Sequence, residues 1–161
     1  MEIKRIVFNP FRENTYLVWD ATKEAIVVDA GNMSEAENEH LRTIIAELGL
    51  KPVMAVNTHG HFDHVLGVAE LASRYGLPAG GSDGPDSGTS GPDDPVAALP
   101  VYMHPDDKFT LENNEYFCKW FGAPLPAAFE TVDVREAAGS DGCCPADGSC
   151  SMDEGCSMDG G

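Results

Sequence analysis

Thr58-His59-Gly60-His61-Phe62-Asp63-His64 comes one residue after the apolar run Val53-Met54-Ala55-Val56. Three histidines and one aspartate fall within six positions. Neutral imidazole and carboxylate are the donor types that zinc and iron accept. The apolar run, bounded by Pro52 and a polar turn, predicts a short buried strand. If the chain leaves that strand still extended, His59 and His61 point to the same side and can clasp one metal. Asp63 and His64, one turn further on, can face a second. Two metals a few ångströms apart can hold a bridging hydroxide and polarise a carbonyl or phosphoryl group.

Working backwards from this stretch, Ile3–Phe8, Thr15–Trp19 and Ala25–Asp29 read as three strands of a meander, with Asp20-Ala21-Thr22-Lys23 as a turn. Ser34-Glu35-Ala36-Glu37 has the pattern of a capping box. Leu41, Ile44, Ile45 and Leu48 then recur at helical spacing until Gly49 stops the helix. His40 lies beside that apolar stripe and reads as a boundary residue.

Working forwards, a second helix is expected over 65–75, with Leu66, Ala69, Leu71 and Ala72 inward and Gly76 ending it. Strands alternating with helices fit a layered α/β domain. Gly80–Pro95 holds only Gly, Ser, Asp, Pro and Thr, and cannot bury anything. Leu77-Pro78 recurs as Leu99-Pro100. Residues 79–100 are therefore expected to be a flexible acidic insertion in a helix-to-strand connection. Val101–Met103 reads as a fifth strand, and 107–121 as a third helix with Phe109, Phe117, Trp120 and Phe121 as its apolar content. Cys118 there reads as a small buried hydrophobe. Phe129–Val134 alternates weakly, as a further strand would. The division expected is a domain over 1–130 and a low-complexity tail over 131–161 that is disordered and carries exposed thiols. Cys143, Cys144, Cys150 and Cys156 lack the Cys-x-x-Cys spacing of a zinc knuckle.

The formal charge is −17 over 161 residues. Residues 79–100 and 131–161 together supply −10 of it. There is no basic footprint for nucleic acid, and a polyanion would be repelled. No stretch could span a membrane. With no export leader behind Met1-Glu2-Ile3-Lys4-Arg5, the expected compartment is the cytoplasm.

The His-x-His-x-Asp-His stretch resembles the signature of the metallo-β-lactamase fold hydrolases. Asn9-Pro10-Phe11-Arg12-Glu13-Asn14-Thr15-Tyr16-Leu17-Val18 and Ala25-Ile26-Val27-Val28-Asp29-Ala30-Gly31 resemble the opening strands of the glyoxalase-II-like branch. The likeness covers 1–78 and resumes at 101–125. It implies an α/β fold: the N-terminal half of an αββα sandwich. It implies His59, His61, Asp63 and His64 as metal ligands, with Asp63 also orienting the attacking hydroxide. It places Asp29 and Thr58 beneath the ligands, where they hold the loop. His104, after the fifth strand, could be taken for a further ligand, although a histidine here often has no metal role in the family. The cofactor implied is one or two zinc ions, with iron or manganese as substitutes. The family completes its site from a Gly-His-x-x-Gly loop, a Gly-Asp strand end and a Pro-Gly-His turn, none of which occurs in this sequence.

Three functional readings follow. One is a metal-dependent hydrolase in which a metal-bound hydroxide attacks a small-molecule thioester or related acyl carbon. Another is a non-catalytic remnant or half-domain that self-associates or binds a partner chain through an exposed sheet face. The third is a metal-handling protein that uses the histidines together with the cysteine tail.

Overall fold

The computed structural model describes residues 1–78 and 96–137. Strand β1 (Glu2–Phe8) turns into β2 (Glu13–Trp19), which turns into β3 (Glu24–Val28). The first turn is shaped by Asn9, whose Oδ1 accepts from Phe11 N–H at 3.0 Å. In the second turn Asp20 Oδ1 accepts from both Thr22 N–H and Thr22 Oγ1. Both turns use short polar side chains to replace missing backbone partners. Helix α1 (Glu35–Glu47) carries β3 over to β4 (Lys51–Val56). Its capping box is fully formed: Glu37 N–H donates to Ser34 and the Glu37 side chain returns to the Ser34 N–H. Gly49, at φ +65°, ends it.

After β4 come two short helices, α2 (Phe62–Val65) and α3 (Val68–Arg74). The single helix expected over 65–75 therefore starts earlier and is broken at Leu66-Gly67. The break rotates the inward face: Val65, Val68, Leu71 and Ala72 are buried, and Leu66 and Ala69 are half-buried. Strands β5 (Leu77–Pro78) and β6 (Val96–Ala97) form an antiparallel pair. Next are β7 (Val101–Met103), a 3-10 turn (Pro105–Asp107), α4 (Lys108–Glu112) and α5 (Asn114–Phe121). The third helix thus divides at Asn113. Phe109 and Trp120, part of the apolar content expected of that helix, are 73% and 71% exposed. Strand β8 (Val132–Asp133) and the turn α6 (Val134–Ala137) end the described chain.

Two boundaries move. The insertion expected at 79–100 returns to the fold before its end: Leu99 is 1% exposed and its N–H donates to Ala72 O at 2.9 Å. Of the repeated Leu-Pro pair, Leu99-Pro100 enters the core, while Leu77-Pro78 pairs with Val96-Ala97. Residues 131–137, expected in the tail, add β8 and α6. The remainder, 79–95 and 138–161 with its four cysteines, lies outside the described residues.

The main sheet has the order β1-β2-β3-β4-β7-β8, antiparallel in the first two pairings and parallel from β3 onward. Its two faces differ. One carries Leu17, Val27, Ala55 and Val101, and packs on Leu41, Ile45, Val68 and Leu71 of the helices. The other has no helix layer among the described residues. Cross-strand partners Arg5, Tyr16, Val28, Val56, Tyr102 and Val132 form one row across all six strands, and Ile3, Val18, Ile26 and Met54 form a second. From Tyr16 to Val132 and from Val18 to Met54 these side chains are half-buried. None of them belongs to the core cluster or packs against it. No helix among the described residues is long and apolar enough to cross a membrane.

Candidate metal centre

The histidine stretch leaves the C-terminal end of β4 beside the C-terminal end of β3. In open α/β sheets ligands gather at this edge. Asp29 ends β3 at φ +52°, a left-handed conformation that aspartate tolerates better than most residues. Its N–H donates to Val56 O at 3.0 Å, which locks the two strand ends together. Its carboxylate then holds the loop. Oδ1 accepts from Thr58 N–H at 2.8 Å and Oδ2 from Thr58 Oγ1 at 2.7 Å. Asn57 Nδ2 donates to His64 O at 3.0 Å and closes the loop from inside.

These contacts orient the rings. Thr58 has one hydroxyl proton, and Asp29 takes it. The 2.9 Å contact between Thr58 Oγ1 and His59 Nδ1 therefore needs the proton on His59 Nδ1, which leaves Nε2 as the free lone pair. Asp29 Oδ2 lies 3.2 Å from His64 Nδ1. The contact is poorly aligned, since His64 Nδ1 is buried without a proper hydrogen-bond partner. Even so it turns His64 Nε2 outward, to 3.7 Å from Asp63 Oδ2. The His59 ring centroid is 4.7 Å from that of His61 and 4.1 Å from that of His64.

Ligand atoms of Asp29, His59 and His64 lie within 4.8 Å of one another. His61 and Asp63 adjoin this group without lying that close to all three of its members. Asp29 is thus closer to the converging donors than a purely supporting residue need be, although its lone pairs are committed to Thr58. His40 is exposed on α1 with its ring edge-on to Phe8. His104 caps the 3-10 turn, where its Nδ1 accepts from Asp106 N–H at 3.3 Å.

The donor set fits a metal. Burial lowers the His59 pKa, and the neighbouring His64 and His61 lower it further, so the ring is held neutral with a lone pair to offer. Burial also opposes charge on His64, but Asp29, Asp63 and Glu13 outweigh it and raise its pKa. Packed imidazoles facing carboxylates, with an orphaned ring nitrogen among them, are what a divalent cation would satisfy.

Several supports carry no sequence signal. Gly60 lies so close to α4 that a Cβ there would sit 2.8 Å from Asp107 O and 2.9 Å from Leu111 N. Asn114, 2% exposed, donates Nδ2 to Gly60 O at 2.8 Å. Asn9 Nδ2 donates to both Gly31 O and Asp63 O at 2.9 Å. Glu13 is buried behind the site. Thr15 Oγ1 donates to Asp29 O at 2.6 Å, so its 2.9 Å contact with Glu13 Oε2 requires the proton to be on Glu13. Burial pushes the Glu13 carboxyl up to about 8; His64 pulls against the rise, and the Asp29 and Asp63 charges add to it.

A raised carboxyl pKa has a defined consequence for stability. The unfolded chain ionises Glu13 near its ordinary value of 4.5, and the folded chain only near 8. The contribution is therefore complete below 4.5 and is lost as pH rises through 8. His64, also raised, acts in the same direction. Metal-free protein should thus lose on the order of 3 kcal/mol between mildly acidic and mildly alkaline solution, and Glu13→Gln should remove most of that slope. Urea unfolding followed across this range in the presence of chelator measures it. An equal slope in the variant would refute the assignment.

The Metallo-beta-lactamase superfamily model matches residues 8–139. A hydroxyacylglutathione hydrolase GloC of Haemophilus influenzae is 36% identical over 86 residues, which is 53% of this chain and 39% of that protein. Among solved structures, the BLEG-1 B3 metallo-beta-lactamase superposes with a TM-score of 0.59 at 24% identity, over 82% of this chain and 52% of that one. TTHA1623 in a di-iron-bound form gives 0.57 at 26% identity, over 81% and 52%. The chain therefore spans about half the length of each of these structures, and less of the Haemophilus protein.

Proposed function

This chain belongs to the metallo-beta-lactamase superfamily, and from that premise we propose that it carries the metal-binding half of a hydrolase acting on thioesters or related acyl compounds. The supporting observation is the convergence of Asp29, His59 and His64 within 4.8 Å, with Asp63 and His61 adjoining. His59, His61, Asp63 and His64 would hold the metal, zinc being the first choice for imidazole and carboxylate donors, with iron or manganese as substitutes. A divalent metal there brings the pKa of bound water toward neutrality and polarises the acyl carbonyl. The chain's own residues do the rest. Thr58 and Asp29 fix the ring orientations. Asp63, whose Oδ2 lies 3.7 Å from His64 Nε2, would also orient the attacking hydroxide. Phe117, edge-on to His61 at 5.8 Å between centroids, keeps solvent from one side. The likeness to a hydroxyacylglutathione hydrolase supports a thioester as the substrate class.

The test is metal content by plasma mass spectrometry on protein purified without added metal, alongside hydrolysis of a hydroxyacylglutathione. The expected result is one to two metals per chain, with His59→Ala lowering metal content and any turnover by at least about 100-fold. Protein that stays metal-free under zinc titration would sink the reading. Metal lost on deletion of 138–161 rather than on His59→Ala would transfer it to the cysteine tail.

A further inference from the structure

We propose that Glu13 is a positioning residue for His64: its neutral carboxyl accepts a hydrogen bond from His64 Nδ1–H behind the ring and so fixes the side on which Nε2 offers its lone pair. The consequence for affinity rests on the metal-binding reading, but the contact belongs to the metal-free chain. Two buried polar atoms without partners face each other here. Glu13 is 3% exposed, and its Oε1 has no hydrogen-bond partner. His64 Nδ1 has no proper one either. They lie 3.8 Å apart. That is too far for a hydrogen bond and too near for a bridging water, which holds its two partners roughly 4.5 Å apart or more. Leaving both atoms buried and unpaired is costly, and the last torsion of a glutamate side chain is soft enough to close the gap.

The surrounding bonds fix which atom donates. Thr15 Oγ1 gives its own proton to Asp29 O, 2.6 Å away, and accepts from Gly31 N–H at 3.2 Å. Its 2.9 Å contact with Glu13 Oε2 therefore carries the Glu13 proton. Oε1 is then the carbonyl oxygen of a neutral acid, an acceptor only. Asp29 Oδ2, 3.2 Å from the same Nδ1, is a second acceptor, but it is poorly aligned and already engaged by Thr58 Oγ1 at 2.7 Å. Two acceptors beside Nδ1 place the neutral ring's one proton there and leave Nε2 as the free lone pair. Glu13 thus does for His64 what Thr58 does for His59, whose Nδ1 lies 2.9 Å from Thr58 Oγ1. The anchor is rigid. Glu13 and Thr15 alternate with Leu17 and Trp19 on the buried side of β2, and Thr15 ties that strand to the end of β3. The orientation of the His64 ring is therefore set from the sheet as well as from its own loop.

Two measurements on the full chain test this: zinc titration by calorimetry, and nitrogen-15 spectra of the histidine rings in metal-free protein at a pH where His64 is neutral. Glu13→Gln is the isostere of a neutral glutamic acid. Its amide N–H can donate to Thr15 Oγ1 while its carbonyl accepts from His64. It should bind zinc within about 3-fold of wild type and keep the Nδ1–H tautomer of His64. Glu13→Met fills a similar volume but offers only a weak acceptor. It should bind zinc about 10- to 100-fold more weakly and show a share of Nε2–H tautomer that wild type lacks. A residue that merely filled space would be replaced by methionine without either change, so wild-type affinity and tautomer in Glu13→Met overturn the proposal. Affinity lost in Glu13→Gln overturns it too, because a charged carboxylate would then be what His64 needs. Should Glu13→Met not fold, the other two proteins decide: Nδ1–H in both wild type and Glu13→Gln sustains the proposal, and Nε2–H in wild type overturns it. If no variant binds zinc while Glu13→Met still shifts the tautomer, the positioning of His64 stands and the metal-binding reading falls.

Discussion

Asp29→Asn is expected to weaken divalent-metal binding by about 10- to 100-fold in a chain that still folds, and Asp29→Ala to cost about 3–5 kcal/mol of stability as well. The asymmetry comes from what the carboxylate does. It accepts from Thr58 N–H and Thr58 Oγ1, and faces His64 Nδ1. Asparagine keeps the shape, one acceptor and a tolerance for φ +52°. It loses the charge that raises His64, and offers an amide where an acceptor is needed. Alanine leaves the Thr58 donors without a partner, at about 1–3 kcal/mol each when desolvated, and adds the strain of a left-handed backbone. Burial alone would push Asp29 up, yet the facing His64 ring and the hydrogen bonds from Thr58 hold its carboxyl below the ordinary 3.8. Its contribution is therefore present above 3.8 and lost as pH falls below it, so the gap between wild type and Asp29→Ala should narrow in acid. Zinc titration by calorimetry and urea unfolding of the metal-free protein measure the two effects. Wild-type affinity in Asp29→Asn would mean that the loop is held without this charge.

The parts of this protein that were legible in its sequence are those governed by local chemistry. The capping box at Ser34–Glu37, the stop at Gly49, the strand before the histidines and the short strand Val101–Met103 each follow from a few adjacent residues, and each is present. The likeness of the motif to metallo-β-lactamase fold hydrolases also held at the level of family and fold. What failed depended on distant packing. Gly67 looks like a tolerable glycine inside a helix. It ends α2 because its N–H donates to Ala30 O at 2.8 Å and Asn32 fills the space beside it. Phe109 and Trp120 sit at helical spacing, but no element among the described residues stands opposite them. A repeated Leu-Pro pair gives no hint which copy enters the core; the Leu99 contact with α3 decides it. Glu13, Asn57 and Asn114 are common polar residues whose roles exist only once strands remote in sequence meet. The one clue available was that Glu13 alternates with Thr15, Leu17 and Trp19, a pattern that places it on the core side of β2.

Gly31→Ala and Gly67→Ala separate two kinds of close approach at this site, and only one of them should be repairable. At Gly67 the three atoms nearest the added methyl all belong to the side chain of Asn32, at 2.0 to 2.3 Å. At Gly31 it would overlap Glu13 Oε2 and also lie 2.5 Å from the backbone oxygen of Asp63. That oxygen is fixed, because Asn9 Nδ2 bridges Asp63 O and Gly31 O, while Gly31 N–H donates to Thr15 Oγ1. Overpacking with no room to relax costs about 3 kcal/mol or somewhat more. Both single variants should therefore be strongly destabilised in urea. Adding Asn32→Ala to Gly67→Ala should restore most of the loss. It removes the obstruction at the cost of one hydrogen bond to Asn38, about 1 kcal/mol. Adding Glu13→Ala to Gly31→Ala should restore only part, since the clash with Asp63 O remains. That oxygen belongs to a residue of the histidine stretch, so the unrepaired strain falls on the metal centre. The Gly31→Ala/Glu13→Ala pair should therefore bind zinc at least about 10-fold more weakly than Glu13→Ala alone, whereas Gly67→Ala/Asn32→Ala should bind it about as tightly as Asn32→Ala alone. Full recovery of both stability and zinc binding at Gly31 would show that the loop can move away from β3, and that the ligands are not held as rigidly as the Asp29 and Asn9 contacts require.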